Sequence, residues 1–472
     1  MNTNFNFGMF NETILNEIKD MLNPKAALYV VGGYMRDICF GKESFDIDFI
    51  VQNQNAIELA REFAEKTNRY FILLDEEFEI ARVVDRDKTH FFDFARCEND
   101  DIQADLGRRD LTINAVAAQI FPEFKIWDNF QGFNDLNKKI IRIISEKNLT
   151  DDPLRILRVF RFASILDFEI EKETLELTKK HVKLIKNVAP ERILTELLKL
   201  LEGKHSARYI NFMKENGLLF ELFKLLEQED KIPPNTHHHL KLIDHSIETV
   251  NQVEMMLDSM PEFLKERLNS FQVPNVKYLS LMKLAALLHD VGKHDTWTIE
   301  ESGRHRFINH DFVGAELLKT DLKEMKFSKA QIKYITTLVR NHIYPSQLAR
   351  ENENAGDKAV FRMFRKLEEC TGDVILLAMA DRLSALGPAI TEEIVKNNIN
   401  TLKHYLKMYE EYLKTAEPLP KLLDGNEISQ ILNIKKDKNL GEIIKKLTEA
   451  QTIGDVKTKE DAIDFIKTYC KV

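Results

Sequence analysis

The chain has 472 residues, 44% hydrophobic and 30% charged, with only 17 Gly and 12 Pro. That balance suits two to four globular, helix-rich domains rather than a disordered chain. A net charge of −9 neither supports nor excludes RNA, because phosphate contacts need a local basic surface rather than a basic total. No stretch of 18 apolar residues marks a membrane span. The opening MNTNFNFGMFNETILNEIKD has no basic start and carries acids early, which argues against a targeting peptide. Cys39, Cys97, Cys370 and Cys470 lie far apart without a CxxC pair, as expected of reduced thiols in a cytoplasmic protein.

Residues 1–140 alternate helix and strand signals and read as an α/β head, a small mixed sheet with helices. An amphipathic opening helix precedes the apolar run 27–31, then Gly32-Gly33 and a short helix. Strands are expected at 45–51, 70–74, 80–84 and 90–95, with a helix around 57–67. From about residue 141 the 3.6-residue period dominates, with helices expected at 153–166, 172–185 and 191–201 in a body that runs to 230. Pro233-Pro234 reads as a linker into a third, all-α unit covering 231–395. A helical tail follows over 396–472, with a new start at Glu417 and its own glycines, Gly425, Gly441 and Gly454.

Chemistry begins at Gly32-Gly33. Two glycines between a strand and a helix let backbone approach an anion closely, and Arg36 one turn later can pair with a phosphate. Asp46 and Asp48 are two apart on a strand and so point the same way, with Phe45, Ile47 and Phe49 on the opposite, core-facing side. Like charges held together call for a divalent cation, although a solvated strand face would show the same spacing. Asp93, an acid in an apolar strand, is costly if buried unpaired. Three carboxylates on adjacent strands can hold two Mg²⁺ ions, so phosphoryl or nucleotidyl transfer is the chemistry expected. Arg109 and Asp110 make a surface ion pair or steer a triphosphate, with Asn114 four residues on and on the same helical face.

The segment DDPLRILRVFRFA starts a helix with an acid at the N-cap and Pro153 at the first helical position. Asp152, Arg155 and Arg158 share one broad face while Arg161 drifts away from it. Asp accepts and Arg donates in fixed planar geometry, which suits the edge of a nucleobase, or simply an intrahelical ion pair. LYVVGGYMRD with Asp46 and Asp48, then RRDLTINA, DDPLRILRVFRFA and PERILTELLKLL, resemble in order the signatures of class II tRNA nucleotidyltransferases and bacterial poly(A) polymerases, over about residues 27–201. The resemblance implies that Asp46 and Asp48 bind catalytic Mg²⁺ with Asp93 as third carboxylate. It implies that Gly32, Gly33 and Arg36 hold the triphosphate, and that Arg109, Asp110 and Asn114 contact sugar or phosphates. Asp152 and Arg155 would select ATP or CTP, and Arg158 and Arg161 would support the nucleotide. The implied substrate is the tRNA 3′ end. The connection from Asp93 to Arg108 is short and acidic, resembling enzymes that split CC and A addition with a partner enzyme.

A second set of candidate ligands follows. His289-Asp290 ends an apolar helix, and His245, His310, His342 and Asp381 lie in helical settings. Singly each is an ordinary structural residue. In order they resemble the HD superfamily of metal-dependent phosphohydrolases over about 237–385. The resemblance implies one metal on His245, His289, Asp290 and Asp381, and a second beside His310 and His342. Such ligands suit Ni, Mn, Co, Fe or Zn, and Lys293 would stabilise developing charge. His237-His238-His239 receives no role. Lysines 179, 180, 183 and 186 in the body, and 435, 436, 438, 445 and 446 in the tail, are a solvated face or a grip on tRNA phosphates. Two alternatives stand beside tRNA end synthesis: a poly(A) polymerase, and an HD hydrolase with a non-catalytic nucleotide-binding head.

Overall fold

In the computed structural model, which describes residues 12–42, 44–235, 239–351, 356–415, 421–434, 438–453 and 456–470, the apolar run Ala27–Val31 (β1) is buried along its whole length. Such a run can sit only inside a sheet covered on both faces. It is joined by β2 (Asp46–Gln52), β3 (Tyr70–Asp75), β4 (Ile80–Val84), β5 (Phe91–Arg96), β6 (Ala117–Phe121) and β7 (Lys125–Trp127) in the order β3-β4-β5-β2-β1-β6-β7. The β2–β5 pair is parallel and the other pairs are antiparallel, so the sheet is mixed, as expected. The short strands β6 and β7 add to the five read from the sequence.

One face of this sheet buries Ile47, Phe49, Val51, Phe92 and Phe94 with Leu59 and Phe63 of the helix Ala56–Lys66. Phe49 and Phe94 stack with centroids 5.0 Å apart, and Phe63 meets Phe92 edge-on at 5.5 Å. Asn55 starts that helix by accepting a hydrogen bond from the Glu58 amide at 2.8 Å, satisfying one donor of its first turn. Phe45 departs from expectation. It precedes the strand and is 47% exposed, because the pleat that buries Ile47 and Phe49 starts only at Asp46.

The body helices are Leu154–Leu166, Lys172–His181, Pro190–Leu201 and Ser206–Asn216. The expected helix 172–185 ends at His181 and tightens into a 3₁₀ turn, Val182–Asn187. Head and body together form one compact unit, and a second begins at Phe223. Its helices Leu242–Met256, Tyr278–Leu288, His310–Glu324, Lys329–Asn341 and Thr371–Ser384 are the helical domain expected. Two small ribbons, Phe271–Val273 with Val276–Lys277 and Trp297–Ile299 with His305–Phe307, decorate it. The tail helices Gly425–Leu432, Lys438–Ile453 and Lys459–Cys470 carry their own core around Ile428, Leu447 and Ile466.

Among the described residues no helix is long and apolar enough to cross a membrane. Of the body lysines, Lys180 pairs with Glu146 at 2.7 Å and Lys186 with Glu221 at 2.9 Å, so half of that group is engaged in surface ion pairs. His237, His238, Glu417, Lys435, Lys436 and Gly454 lie outside the described residues.

Candidate active site

Parallel pairing of β2 and β5 sets Asp48 opposite Asp93, so both carboxylates stand on the same face of the sheet, with Asp46 one pleat away. Burial pushes the Asp48 carboxyl up to about 6; Arg109 opposes the shift and the nearby Asp93 and Asp46 add to it. Asp93 is gripped bidentately by Arg82, with Nε and Nη2 each 2.7 Å from a carboxylate oxygen. Arg82 was not singled out from the sequence. Its place follows from strand register, since it pairs across β4–β5 with Asp93 itself.

Gly32 has φ +71°, and a Cβ there would come 2.7 Å from Asp48 Oδ2. Only glycine supplies both the backbone turn and the room beside that carboxylate. Gly33 begins the helix Gly33–Cys39, which carries Arg36. Arg36 donates to Asn114 Oδ1 at 3.1 Å, and Arg109 pairs with Asp105 at 3.2 Å. The Nε atoms of Arg36 and Arg109 are buried without a hydrogen-bond partner, so each guanidinium keeps an unused donor.

Asp110 accepts from the Leu111 amide at 2.8 Å and from Asn114 Nδ2 at 2.9 Å. Asn114 reaches it through the 3₁₀ turn Thr112–Asn114, not along the helix face expected from the four-residue spacing. Burial alone would raise the Asp110 carboxyl; Arg158, 2.7 Å away, holds it below its usual range.

Asp152 is extended, and its carboxyl accepts from the Leu154 amide at 3.3 Å as that helix begins. Its other oxygen pairs with Arg192 at 2.9 Å. Arg155 donates to the Asn148 carbonyl at 3.2 Å. Arg158 and Arg161 both grip Glu196, at 3.2 and 2.8 Å. Arg161 therefore does not drift away from Arg158 but turns back to the same partner, lying 3.6 Å over the Phe162 ring. Glu196 and Arg192 were not read as site residues. The available signal was a buried acid on the apolar face of Pro190–Leu201, which needs a partner. Glu196→Ala is expected to destabilise the first unit by about 3 kcal/mol, the scale of breaking a largely buried ion pair. Urea unfolding checks this, and a midpoint unchanged from the parent would mean that Arg158 and Arg161 do not depend on Glu196.

In the second unit the six expected ligands converge. His245 Nε2 lies 3.2 Å from Asp381 Oδ1 and 3.3 Å from His289 Nε2. Asp290 Oδ2 is 3.2 Å from His289 and Oδ1 is 3.4 Å from His310, which in turn meets His342 at 3.3 Å. Gly292 lets the segment close up, since a Cβ there would come 2.1 Å from the His310 carbonyl. The Nδ1 atoms of His289, His310 and His342 sit 2.8, 2.8 and 2.6 Å from the carbonyls of Ala286, Phe307 and Val339. Each ring thereby turns Nε2 inward, the usual second contact of a metal-binding imidazole.

Two sets of donor atoms are spaced to share a cation: His245, His289 and Asp381, and His289, Asp290 and His342. Asp290 Oδ1 is buried with no hydrogen-bond donor, so the donor set fits a divalent ion. Burial, with His289 and His310 adding, pushes His342 down to about 3, which leaves it neutral, the form that binding a metal would need. Lys293 Nζ lies 2.5 Å from Asp290 Oδ2. A cavity of about 1050 Å³ opens over this cluster, with Arg304, Arg350 and Arg382 in its walls.

Three family models match the chain. The model described as the poly A polymerase head domain matches residues 28–142, the probable RNA and SrmB-binding site of polymerase A matches 167–229, and the HD domain matches 242–386. The chain is 31% identical over 454 residues to an A-adding tRNA nucleotidyltransferase of Deinococcus radiodurans, covering 95% of this chain and 96% of that one. It is 30% identical over 455 residues to a CC-adding tRNA nucleotidyltransferase of Thermus thermophilus, covering 94% and 93%. In fold it resembles a Thermotoga maritima CCA-adding enzyme solved with tRNA, at a TM-score of 0.61 and 20% identity, covering 99% of this chain and 97% of that one. The chain belongs to the family of tRNA nucleotidyltransferases and poly(A) polymerases and carries an HD domain after its head and body.

Proposed function

We propose that this protein works in the cytoplasm and extends the 3′ end of tRNA, transferring C, A or both from CTP and ATP without a template. The observation that carries this reading is the in-register pair Asp48 and Asp93, with Asp46 beside them and the Gly32 turn against Asp48. Asp46, Asp48 and Asp93 would hold Mg²⁺, which when bound neutralises the triphosphate and favours ionisation of the attacking hydroxyl. Arg82 keeps the Asp93 carboxylate aimed. Arg36 and Arg109 have spare buried donors for phosphate oxygens, and Gly32 and Gly33 let backbone approach them.

Asp152 and Arg155 stand at the start of a helix that the Asp110–Arg158–Glu196–Arg161 network pins in place. A fixed acceptor and a fixed planar donor can select cytosine or adenine by their edges. In this reading Asp110, Asn114, Arg158 and Arg161 support the nucleotide from behind. The two relatives described above are each named for one half of CCA addition, which favours a single activity here with a companion enzyme for the other.

The HD cluster is proposed as a phosphohydrolase centre. His245, His289, Asp290, His310, His342 and Asp381 would hold one or two ions of Ni, Mn, Co, Fe or Zn, which when bound supply an activated water. Lys293, on the cavity wall, would meet charge on a phosphoester.

The test is addition by purified protein with Mg²⁺ to tRNA transcripts ending at the discriminator base, at C, or at CC, each with CTP, ATP or both. Addition of only CC or only the last A is expected. Growth from the bare end to CCA would mean a complete enzyme, long adenylate tails on any RNA a poly(A) polymerase, and no addition would overturn the assignment.

A further inference from the structure

The face that bears the carboxylates does not end at β5. Strand register aligns Ile72, Arg82, Asp93 and Asp48 in one row, and Tyr70, Val84, Phe91 and Asp46 in the next. Residues paired in this way share a face, so the carboxylate surface continues across β4 onto β3, an edge of the sheet. On that edge Tyr70 is 46% and Ile72 45% exposed, with Leu74 at 50% and Phe78 at 58% beyond them. Arg86 lies 4.0 Å over the Tyr70 ring and is held there by bonds to Asn68. An edge strand with large exposed apolar side chains is a liability that proteins normally blunt, and its persistence beside a row of carboxylates calls for an occupant.

Geometry identifies the occupant, on the reading that the head transfers nucleotides. The groups suited to the triphosphate (Gly32, Gly33, Arg36 and Arg109) lie on the β1 side of Asp48. Transfer is in line: the RNA 3′ oxygen bonds to the α-phosphorus as the bond to pyrophosphate breaks, and the hydroxyl proton passes to water. The attacking hydroxyl therefore enters opposite the departing pyrophosphate, from the β5 side, and the strand that carries it extends over β4 and β3. Unpaired bases at an RNA end present flat apolar faces, which aromatic and aliphatic side chains cover without regard to sequence. We infer that Tyr70 and Ile72, capped by Arg86, form the platform on which the 3′-terminal bases of the acceptor RNA lie.

The test uses the full-length protein with Tyr70→Ala and Ile72→Ser combined. Both positions are substantially exposed, and unchanged thermal unfolding confirms that the fold is kept. The KM for an acceptor tRNA transcript should rise about tenfold or more, the scale of losing one base stack. The KM for the nucleotide should stay within about twofold, and Tyr70→Phe should behave as the parent, because the ring and not the hydroxyl is used. An unchanged KM for RNA, or a rise confined to the nucleotide, would overturn the platform. So would a parent protein that sediments as a dimer beside a monomeric variant, which would make the strip a subunit contact. Binding of a short labelled RNA by anisotropy separates this from the assignment beneath it: a parent that adds no nucleotide removes the nucleotidyltransferase reading, whereas addition with equal RNA affinity in parent and variant removes the platform alone.

Discussion

Replacing Asp46 and Asp48 together by Ala is expected to lower nucleotide incorporation by roughly a thousandfold or more while leaving metal uptake by the HD cluster unchanged. The size follows from losing several kcal/mol of charge stabilisation at the reacting phosphate. The independence follows because the six candidate HD ligands belong to the other compact unit. Incorporation near the parental rate would sink the assignment of the head. A linked effect comes from Asp48, whose carboxyl is raised from 3.8 to about 6 chiefly by burial. A carboxyl raised on folding contributes stability at low pH that is lost as pH climbs from about 4 through about 6. Above that range the metal-free head holds a partly buried carboxylate beside Asp46 and Asp93, whose charge Mg²⁺ offsets. Mg²⁺ should therefore raise the unfolding temperature more at about pH 7.5 than at about pH 5, and the difference should vanish in the double variant.

Much of the head was legible because its signals are local. An apolar run ending in Gly-Gly, and two acids two residues apart on a strand, carry their geometry with them. The partners are another matter. Arg82 sits 11 residues from Asp93 and Glu196 35 residues from Arg161. Neither pairing has a periodic signature, since strand register and helix packing decide them only once the chain has folded. The same cause explains Phe45, where an alternating pattern was extended one residue past the point at which the strand begins, and Asn114, where a four-residue spacing suggested a helix but a 3₁₀ turn makes the contact. In the second unit the candidate ligands and their order could be read from the sequence. The three backbone carbonyls that orient the imidazoles, and the close approach that Gly292 permits, belong to the fold.

Asp290→Asn is expected to reduce tightly bound metal to less than about a tenth of the parent's content and to abolish phosphoester hydrolysis, with nucleotide addition kept within about twofold. Among the six candidate ligands, Asp290 turns its two oxygens to both halves of the cluster, toward His289 at 3.2 Å and toward His310 at 3.4 Å. An amide keeps the volume and removes the charge. A divalent ion then loses a hard anionic ligand at the centre of its site, while the helices around it keep their packing. Proton release gives a second readout. Burial disfavours a charged His289, but Asp290 and Asp381 outweigh it and raise the imidazole to about 10. Metal must displace that proton to bind, so affinity should strengthen with rising pH, by about tenfold per unit where one proton is released. Calorimetry in two buffers of different ionisation enthalpy should report about one proton released by the parent. The variant lacks the carboxylate first among those that raise His289, so it should release less over the same range. Metal content measured on the purified proteins decides the matter directly: a variant that retains stoichiometric metal would remove Asp290 from the ligand set and leave His245, His289 and Asp381 as the whole site.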